Sequence, residues 1–380
     1  MKNQQLIIII YIILVVFSIM YATQPLQPLL ANQFDINMVQ ASQFTAVIMF
    51  SLAIAPIVYG YVLESICPKK MLFIASVILL VTNLILSYSN SYEMFLTIRV
   101  IESLVIPAII TSCMSILANS DKANVKYNMA IYVAATVFGG MVGRVVSGFI
   151  ATQFGWRTVF LSLSIALFLG LFLIRKLSFE GDTNLTKAKI SDVIQILKDR
   201  RFVLIYLLMF TTFFVFAGLL NILPFRMKEL IPDATESQIG LLYLGYGMGI
   251  VVSLLSKKII KLLKGESNTI LVGGVIFTLV NLSFFSDNML FVFFMLFIFC
   301  VGMFTVHSVS TGIANSIKQS QKSLTSGMYL TFYYIGGAVG SVVPAMFYHS
   351  VGWDFTVILF ICALIIIYSL FFIFRNDFKM

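Results

Sequence analysis

Gly139-Gly140-Met141-Val142-Gly143-Arg144-Val145-Val146, closed further on by Gly155-Trp156, returns as Gly336-Gly337-Ala338-Val339-Gly340-Ser341-Val342-Val343, closed by Gly352-Trp353. The offset is 197 residues (353 − 156 = 197) without a gap, and it also sets Tyr132 against Tyr329. Trp156 and Trp353 are the two tryptophans of the 380-residue chain, so roughly half of the sequence copies the other half. A direct repeat whose copies each hold several apolar spans implies two similarly oriented membrane halves about a pseudo-two-fold axis. Two such halves with a cavity between them are the arrangement expected of a transporter.

Composition fixes the solvent. Hydrophobic residues make up 60% of the chain and charged residues 11%, against about 25% charged in globular proteins. Apolar windows of about 20 residues, long enough to cross a bilayer as helix, recur from near 6–30 to near 354–374. There are twelve, six per half, which predicts an all-α membrane protein of two six-helix bundles. The expected domains are a six-helix half at 1–176, a linker at 177–201 and a second six-helix half at 202–380. In the linker, Ile190, Val193, Ile194 and Leu197 recur at helical spacing opposite Asp192 and Lys198, which predicts a short helix lying on the membrane surface.

The net charge of +9 does not point to nucleic acid, because of where the cations sit. Of the 25 basic residues, 20 fall in alternate loops or tails, including Lys2, Lys69, Lys70, Lys122, Arg175, the run Lys187 to Arg201, Lys257 to Lys264, Lys318 and Lys379. By the positive-inside rule both termini are expected in the cytoplasm. The first span is too long for a secretory signal and lacks a small-residue cleavage site. Cys67, Cys113, Cys300 and Cys362 are scattered, so neither a disulfide nor a metal is expected. No P-loop, HExxH or GxSxG motif occurs, and Gly245-Tyr246-Gly247-Met248-Gly249 reads as close helix packing rather than a nucleotide fingerprint. With neither enzyme chemistry nor ATP hydrolysis indicated, facilitated diffusion or coupling to an ion gradient remains.

At this point the residues resemble the major facilitator superfamily over essentially the whole chain. Its signature after the second helix, G-x-L-a-D-R-x-G-R-K, is met by Gly60-Tyr-Val-Leu63-Glu64-Ser65-Ile-Cys67-Pro-Lys69-Lys70. The resemblance implies a gating latch at Glu64, Lys69 and Lys70, weakened where Ser65 and Cys67 replace an arginine and a glycine. Arg99-Val-Ile-Glu102-Ser103-Leu-Val105 resembles the family's R-x-x-q-G-x-G element, associated with proton transfer, with glutamate where glutamine is usual. The run Gly139 to Gly148 is similar to the antiporter motif, with Arg144 in place of proline. Together with Tyr21-Ala-Thr23-Gln24-Pro25-Leu-Gln27-Pro28, these elements look closest to bacterial acriflavine-sensitivity and drug:proton antiporter exporters.

Charge at membrane depth marks the candidate site, because an ionised side chain in hydrocarbon costs several kcal/mol unless paired or wetted. Arg99 and Glu102 are three apart and share a helix face. Arg99 and Arg144 each lie roughly 10 Å below the outer ends of helices four and five. Either the three form a static cluster locking those helices, or Glu102 takes up a proton when a conformational change withdraws its cation. His307, beside Ser308, Ser310 and Thr311, is either a packing residue satisfied by its own helix or a substrate contact. Tyr21, Gln24, Gln27 and, by the repeat offset, Asn221 are candidate substrate contacts or helix ties. Phe213, with Phe210, Phe214 and Phe216, faces either lipid or a greasy cavity suited to flat cations. Pro25, Pro28, Pro224, Pro344 and the gating glycines Gly139, Gly143, Gly336 and Gly340 are expected where helices bend.

The reading is a proton-coupled exporter of small organic molecules in a bacterial cytoplasmic membrane. Its expected partners are substrate, protons and lipid, for a monomer with no nucleic acid and no cofactor. The alternatives are a narrow metabolite or siderophore carrier of the same fold and a transport-inactive membrane sensor.

Overall fold

A computed structural model describes residues 2–120, 124–178, 190–317 and 322–378, with the side chains of 56–65 and of a few residues at helix ends outside the description. The regular elements of the described residues are helices: α1 (Lys2–Tyr21), a 3₁₀ turn (Gln24–Leu26), α2 (Gln27–Phe34), α3 (Met38–Ser65), α4 (Pro68–Ser87), α5 (Tyr92–Ser120), α6 (Val125–Phe154) and α7 (Trp156–Arg175). Then follow α8 (Ile190–Lys198), α9 (Arg200–Leu230), α10 (Glu236–Leu241), a 3₁₀ segment (Leu242–Gly247), α11 (Met248–Leu262), α12 (Glu266–Val280), α13 (Met289–Ser316), α14 (Lys322–Val351) and α15 (Trp353–Phe374). Among the described residues, twelve stretches are long and apolar enough to cross a membrane. The predicted windows fall on these helices, but their ends are set by capping rather than by hydropathy. Asn37, for example, starts α3 with a reciprocal capping box to Gln40 (2.9 and 3.1 Å).

Two compact units emerge. One comprises Met1–Lys187 with Asp233–Leu241, the other Ala188–Pro232 with Leu242–Met380. α10 thus belongs with the first unit, where it packs on α6: a Cβ on Gly148 would lie 2.2 Å from the Glu236 carbonyl oxygen, and the Ser237 amide donates to Thr152 Oγ1 at 2.8 Å. In α8, Ile196 is buried while Ile194 and Leu197 are exposed.

The repeat is carried into packing. In the first unit Gly139 and Gly143 let α6 lie on α1, where a Cβ would meet the Leu14 carbonyl at 2.9 Å and Ser18 Cα at 2.5 Å. In the second, Gly336 and Gly340 bring α14 against α9, 2.3 Å from the carbonyl oxygens of Phe210 and Phe214 by the same measure. These glycines are close-approach sites between membrane helices. Gly155 and Gly352, 197 apart, serve a different purpose: with φ of +82° and +92° they turn the chain into α7 and α15, a conformation that side chains disfavour. Pro25 and Pro28, three apart, each remove a donor from adjoining turns, and the first span breaks there into α1, a 3₁₀ turn and α2. Pro224 and Pro344 sit singly inside uninterrupted helices.

Gly143→Val and Gly340→Val are expected to destabilise the purified protein by about 1–3 kcal/mol each, read as a lowered unfolding temperature in detergent. Gly312→Ala, where nothing lies within 4 Å of the added methyl, is the silent control.

Candidate functional site

The break in the first span is gripped from two sides by buried guanidinium groups. Arg99 of α5 is fully buried and makes five hydrogen bonds. Its Nε donates to the Phe44 carbonyl (3.3 Å), Nη1 to the Ile19 carbonyl (3.4 Å) and to Glu102 Oε2 (2.8 Å), and Nη2 to the carbonyls of Met20 (3.2 Å) and Phe44 (3.3 Å). A guanidinium has five N–H bonds, and all are engaged. Ile19 and Met20 lie in the last turn of α1, where carbonyls run out of intrahelical donors. Arg99 therefore caps the end of α1 while tying it to α3 and to the carboxylate beside it.

Glu102, also fully buried, has its second oxygen occupied: Asn83 Nδ2 of α4 donates to Oε1 at 2.7 Å and to the Leu79 carbonyl at 3.0 Å. Asn83 Oδ1 is buried with no hydrogen-bond partner. Next to this group Ser51 and Ser103 join α3 to α5 through their hydroxyls at 2.7 Å.

Arg144 of α6 holds the other side of the break. Its Nε donates to Gln24 Oε1 at 2.6 Å, Nη1 donates to the Gly140 carbonyl at 2.9 Å, and the guanidinium lies 3.8 Å above the Tyr21 ring. Gln27 Nε2 donates to Thr45 Oγ1 at 3.0 Å. The expected three-residue cluster is thus arranged otherwise. Arg99 and Glu102 pair, whereas Arg144 joins Tyr21 and Gln24, because equal depth along two helices leaves open which way each side chain turns.

In the second unit the repeat partners of Gln24 and Arg144 still touch, with the hydrogen bond reversed and the charge lost. Adding 197 takes Gln24, Gly140 and Arg144 to Asn221, Gly337 and Ser341. Asn221 Nδ2 donates to the Ser341 carbonyl at 3.0 Å, and Ser341 Oγ donates to the Gly337 carbonyl at 2.8 Å. Arg99 and Glu102 map to Leu296 and Phe299, both buried, with Phe299 against Phe277 and stacked on Phe216.

The remaining candidates lie among aromatic residues of the second unit. Phe213, Phe214 and Phe216 are buried against other side chains, and Phe213 stacks on Tyr333 with centroids 3.8 Å apart. His307 Nδ1 bonds Tyr329 of α14 at 3.0 Å rather than the hydroxyls of its own helix. The Thr311 hydroxyl is instead turned to the His307 backbone carbonyl (2.8 Å), the usual fate of a hydroxyl four residues on. Lys69 Nζ donates to the Leu177 carbonyl. The Glu64 side chain lies outside the described residues, as do Lys122, Lys187 and Lys318. Asn83 and Tyr333 were not singled out by sequence, and Tyr329 only as the repeat partner of Tyr132. For Asn83 the available signal was an amide beside Thr82 in the otherwise apolar stretch Leu79 to Leu86. Among the described residues no group of three or more His, Cys, Asp or Glu side chains is placed to hold a metal ion.

Comparison with known proteins identifies the family and the fold. The sequence model of the Major Facilitator Superfamily matches residues 9–304. An uncharacterized transporter of Buchnera aphidicola subsp. Schizaphis graminum (strain Sg) is 22% identical over 362 residues, covering 92% of this chain and 87% of that one. The inner membrane transport protein YnfM of Escherichia coli (strain K12) is 23% identical over 347 residues, covering 90% and 83%. The crystal structure of a bacterial homolog of the human lysosomal transporter Spinster superposes with a TM-score of 0.83 over 99% of this chain and 97% of its own, at 13% identity, a likeness of fold. With twelve spans, a direct repeat and a family match over most of its length, this multi-pass membrane transporter belongs to the Major Facilitator Superfamily.

Proposed function

We propose that the protein is a proton-coupled exporter of small organic molecules, working by alternating access, with Glu102 as the proton carrier and Arg99 as its conformational reader. One observation carries the proposal: the buried ion pair is present in one half of a duplicated fold and replaced by Leu296 and Phe299 in the other. Replacing a buried ion pair by packed apolar residues is often neutral or stabilising. Arg99 also caps the broken end of α1, which has no counterpart in the uninterrupted α9, but capping alone does not call for a titratable partner, and a task that moves a proton does.

The geometry supplies the coupling. Protonation of Glu102 removes the charge paired with Arg99, and an uncompensated buried cation costs several kcal/mol. The guanidinium relieves that cost by moving, which releases the carbonyls of Ile19 and Met20 and frees the break in the first span. Asn83 fits both states. It donates to the carboxylate as observed, and after an amide flip its buried Oδ1 accepts the O–H of the neutral acid.

Substrate contacts are assigned to Tyr21, Gln24 and Gln27 and to Asn221, Phe213 and His307. The latch is assigned to Glu64, Lys69 and Lys70, and pivoting to the four close-packed glycines. Export is favoured by the resemblance of the Gly139–Gly148 run to the antiporter element. A cytoplasmic membrane location with both termini inside is supported by the one-sided distribution of basic residues and by the inner-membrane relative. A narrow carrier of carboxylates or phosphates is the second reading. It would hold its substrate on Arg99 or Arg144, and those anions would then compete for transport.

In proteoliposomes, Glu102→Gln is expected to abolish transport driven by a pH gradient while counterflow exchange persists; undiminished pH-driven transport removes Glu102 from the mechanism. Arg99→Leu alone, leaving a buried unpaired carboxylate, is expected to cost about 3–5 kcal/mol. The double variant Arg99→Leu, Glu102→Phe, which copies the second half, is expected to recover stability without regaining coupling. A double variant no more stable than Arg99→Leu would assign the pair a structural role. Asn83→Leu, which deletes a hydrogen bond to a charged group worth about 1.5 kcal/mol, is expected to slow gradient-driven transport roughly tenfold.

A further inference from the structure

Between the first turn of α4 and the last turn of α7 lies a cavity of about 540 Å³ lined by Cys67, Lys69, Lys70, Phe73, Ile174 and Arg175. Three of these six residues are cationic and none is acidic. Each cation that approaches the others is repelled, so a pocket of this composition is stabilised when an anion enters it. Two of the cations are held in place by neighbours. Lys69 Nζ donates to the Leu177 carbonyl, which fixes the ammonium and leaves it two further N–H bonds. The Arg175 guanidinium lies 5.5 Å from the centre of the Phe73 ring, a contact that leaves its N–H edge suited to the paired oxygens of a phosphate.

Position selects the source of the anion. The cavity sits where the apolar spans Pro68–Ser87 and Trp156–Arg175 both end, which is the depth of a lipid headgroup. Along the same two helices the exposed side chains are apolar at helical spacing: Ile74, Ile78 and Val81 on α4, and Phe168, Leu169 and Phe172 on α7. A soluble phosphate would use the cations alone. A phospholipid would use the cations for its headgroup and the two stripes for its acyl chains.

We propose that this cavity binds the phosphate headgroup of an anionic phospholipid. The site is independent of the proton-coupling reading, since none of its residues contacts Arg99, Glu102 or Asn83 in the interactions described. Its occupancy joins α4 to α7 at the face where Lys69 and Lys70 were expected to act as a latch.

The test is native mass spectrometry of the full chain in detergent, titrated with phosphatidylglycerol and with phosphatidylcholine of the same acyl chains. Phosphatidylglycerol is expected to be retained preferentially, and the preference to fall roughly fivefold for each cation neutralised in Lys69→Gln, Lys70→Gln and Arg175→Gln. Lys257→Gln with Lys258→Gln, exposed cations on α11, is expected to leave it intact. Millimolar inorganic phosphate is expected not to displace the lipid. Equal retention of the two lipids, or an unchanged preference in the triple variant, overturns the proposal. Displacement by inorganic phosphate assigns the site to a soluble anion and overturns it equally. If the triple variant does not fold, the single change at exposed Lys70 carries the same test at smaller amplitude.

Discussion

A guanidinium cannot be left in a membrane interior with an N–H unengaged, and the first unit is built around that requirement. Arg99 has five donors and they are met by one carboxylate oxygen and three backbone carbonyls. Carbonyls with spare capacity are scarce among continuous helices, and the end of α1 supplies two of them. The break at Pro25 and Pro28 and the buried arginine are therefore parts of one solution: the prolines expose acceptors and the cation occupies them. Arg144, on the far side of the same break, completes it through Gln24 and the Tyr21 ring.

Duplication provides an internal control that a single structure seldom offers. The contact from helix one to helix five is kept in both halves, as Gln24 with Arg144 and as Asn221 with Ser341. The glycine stripes beneath them are kept as well. What changes is the filling of the fourth helix, from an ion pair at Arg99 and Glu102 to Leu296 and Phe299. The apolar filling accompanies an uninterrupted α9, whereas the ion pair accompanies the broken first span whose end Arg99 caps.

The architecture was legible in the sequence because it rests on repeated signals: apolar windows of bilayer length, glycine spacing, and two Gly-Trp corners whose glycines adopt positive φ. The pairing of Arg99 with Glu102 was legible too, since residues three apart on a helix share a face. Contacts across helices were not. Arg144 and Glu102 share a depth but not a direction, and His307 finds Tyr329 rather than its own serines. Asn83 escaped notice because a lone amide in an apolar span does not announce its partner. Phe213 was read as lipid- or cavity-facing because composition makes any one phenylalanine of 36 equivalent to another. Its stacking on Tyr333 is visible only in three dimensions.

The placement of α10 has a topological consequence. The polypeptide passes between the two compact units three times, after Lys187, after Pro232 and after Leu241. Severing it in the segment after α7 would not yield one unit per fragment, for the downstream piece would carry off the strip that packs on Gly148, where a Cβ on Gly240 would lie 3.0 Å from the Arg144 carbonyl oxygen. A single peptide bond, Leu241 to Leu242, also leads from that strip directly into the other unit, with no slack loop between. The tie between that strip and the residues that follow is thereby covalent, which neither screening by salt nor competition from water can weaken.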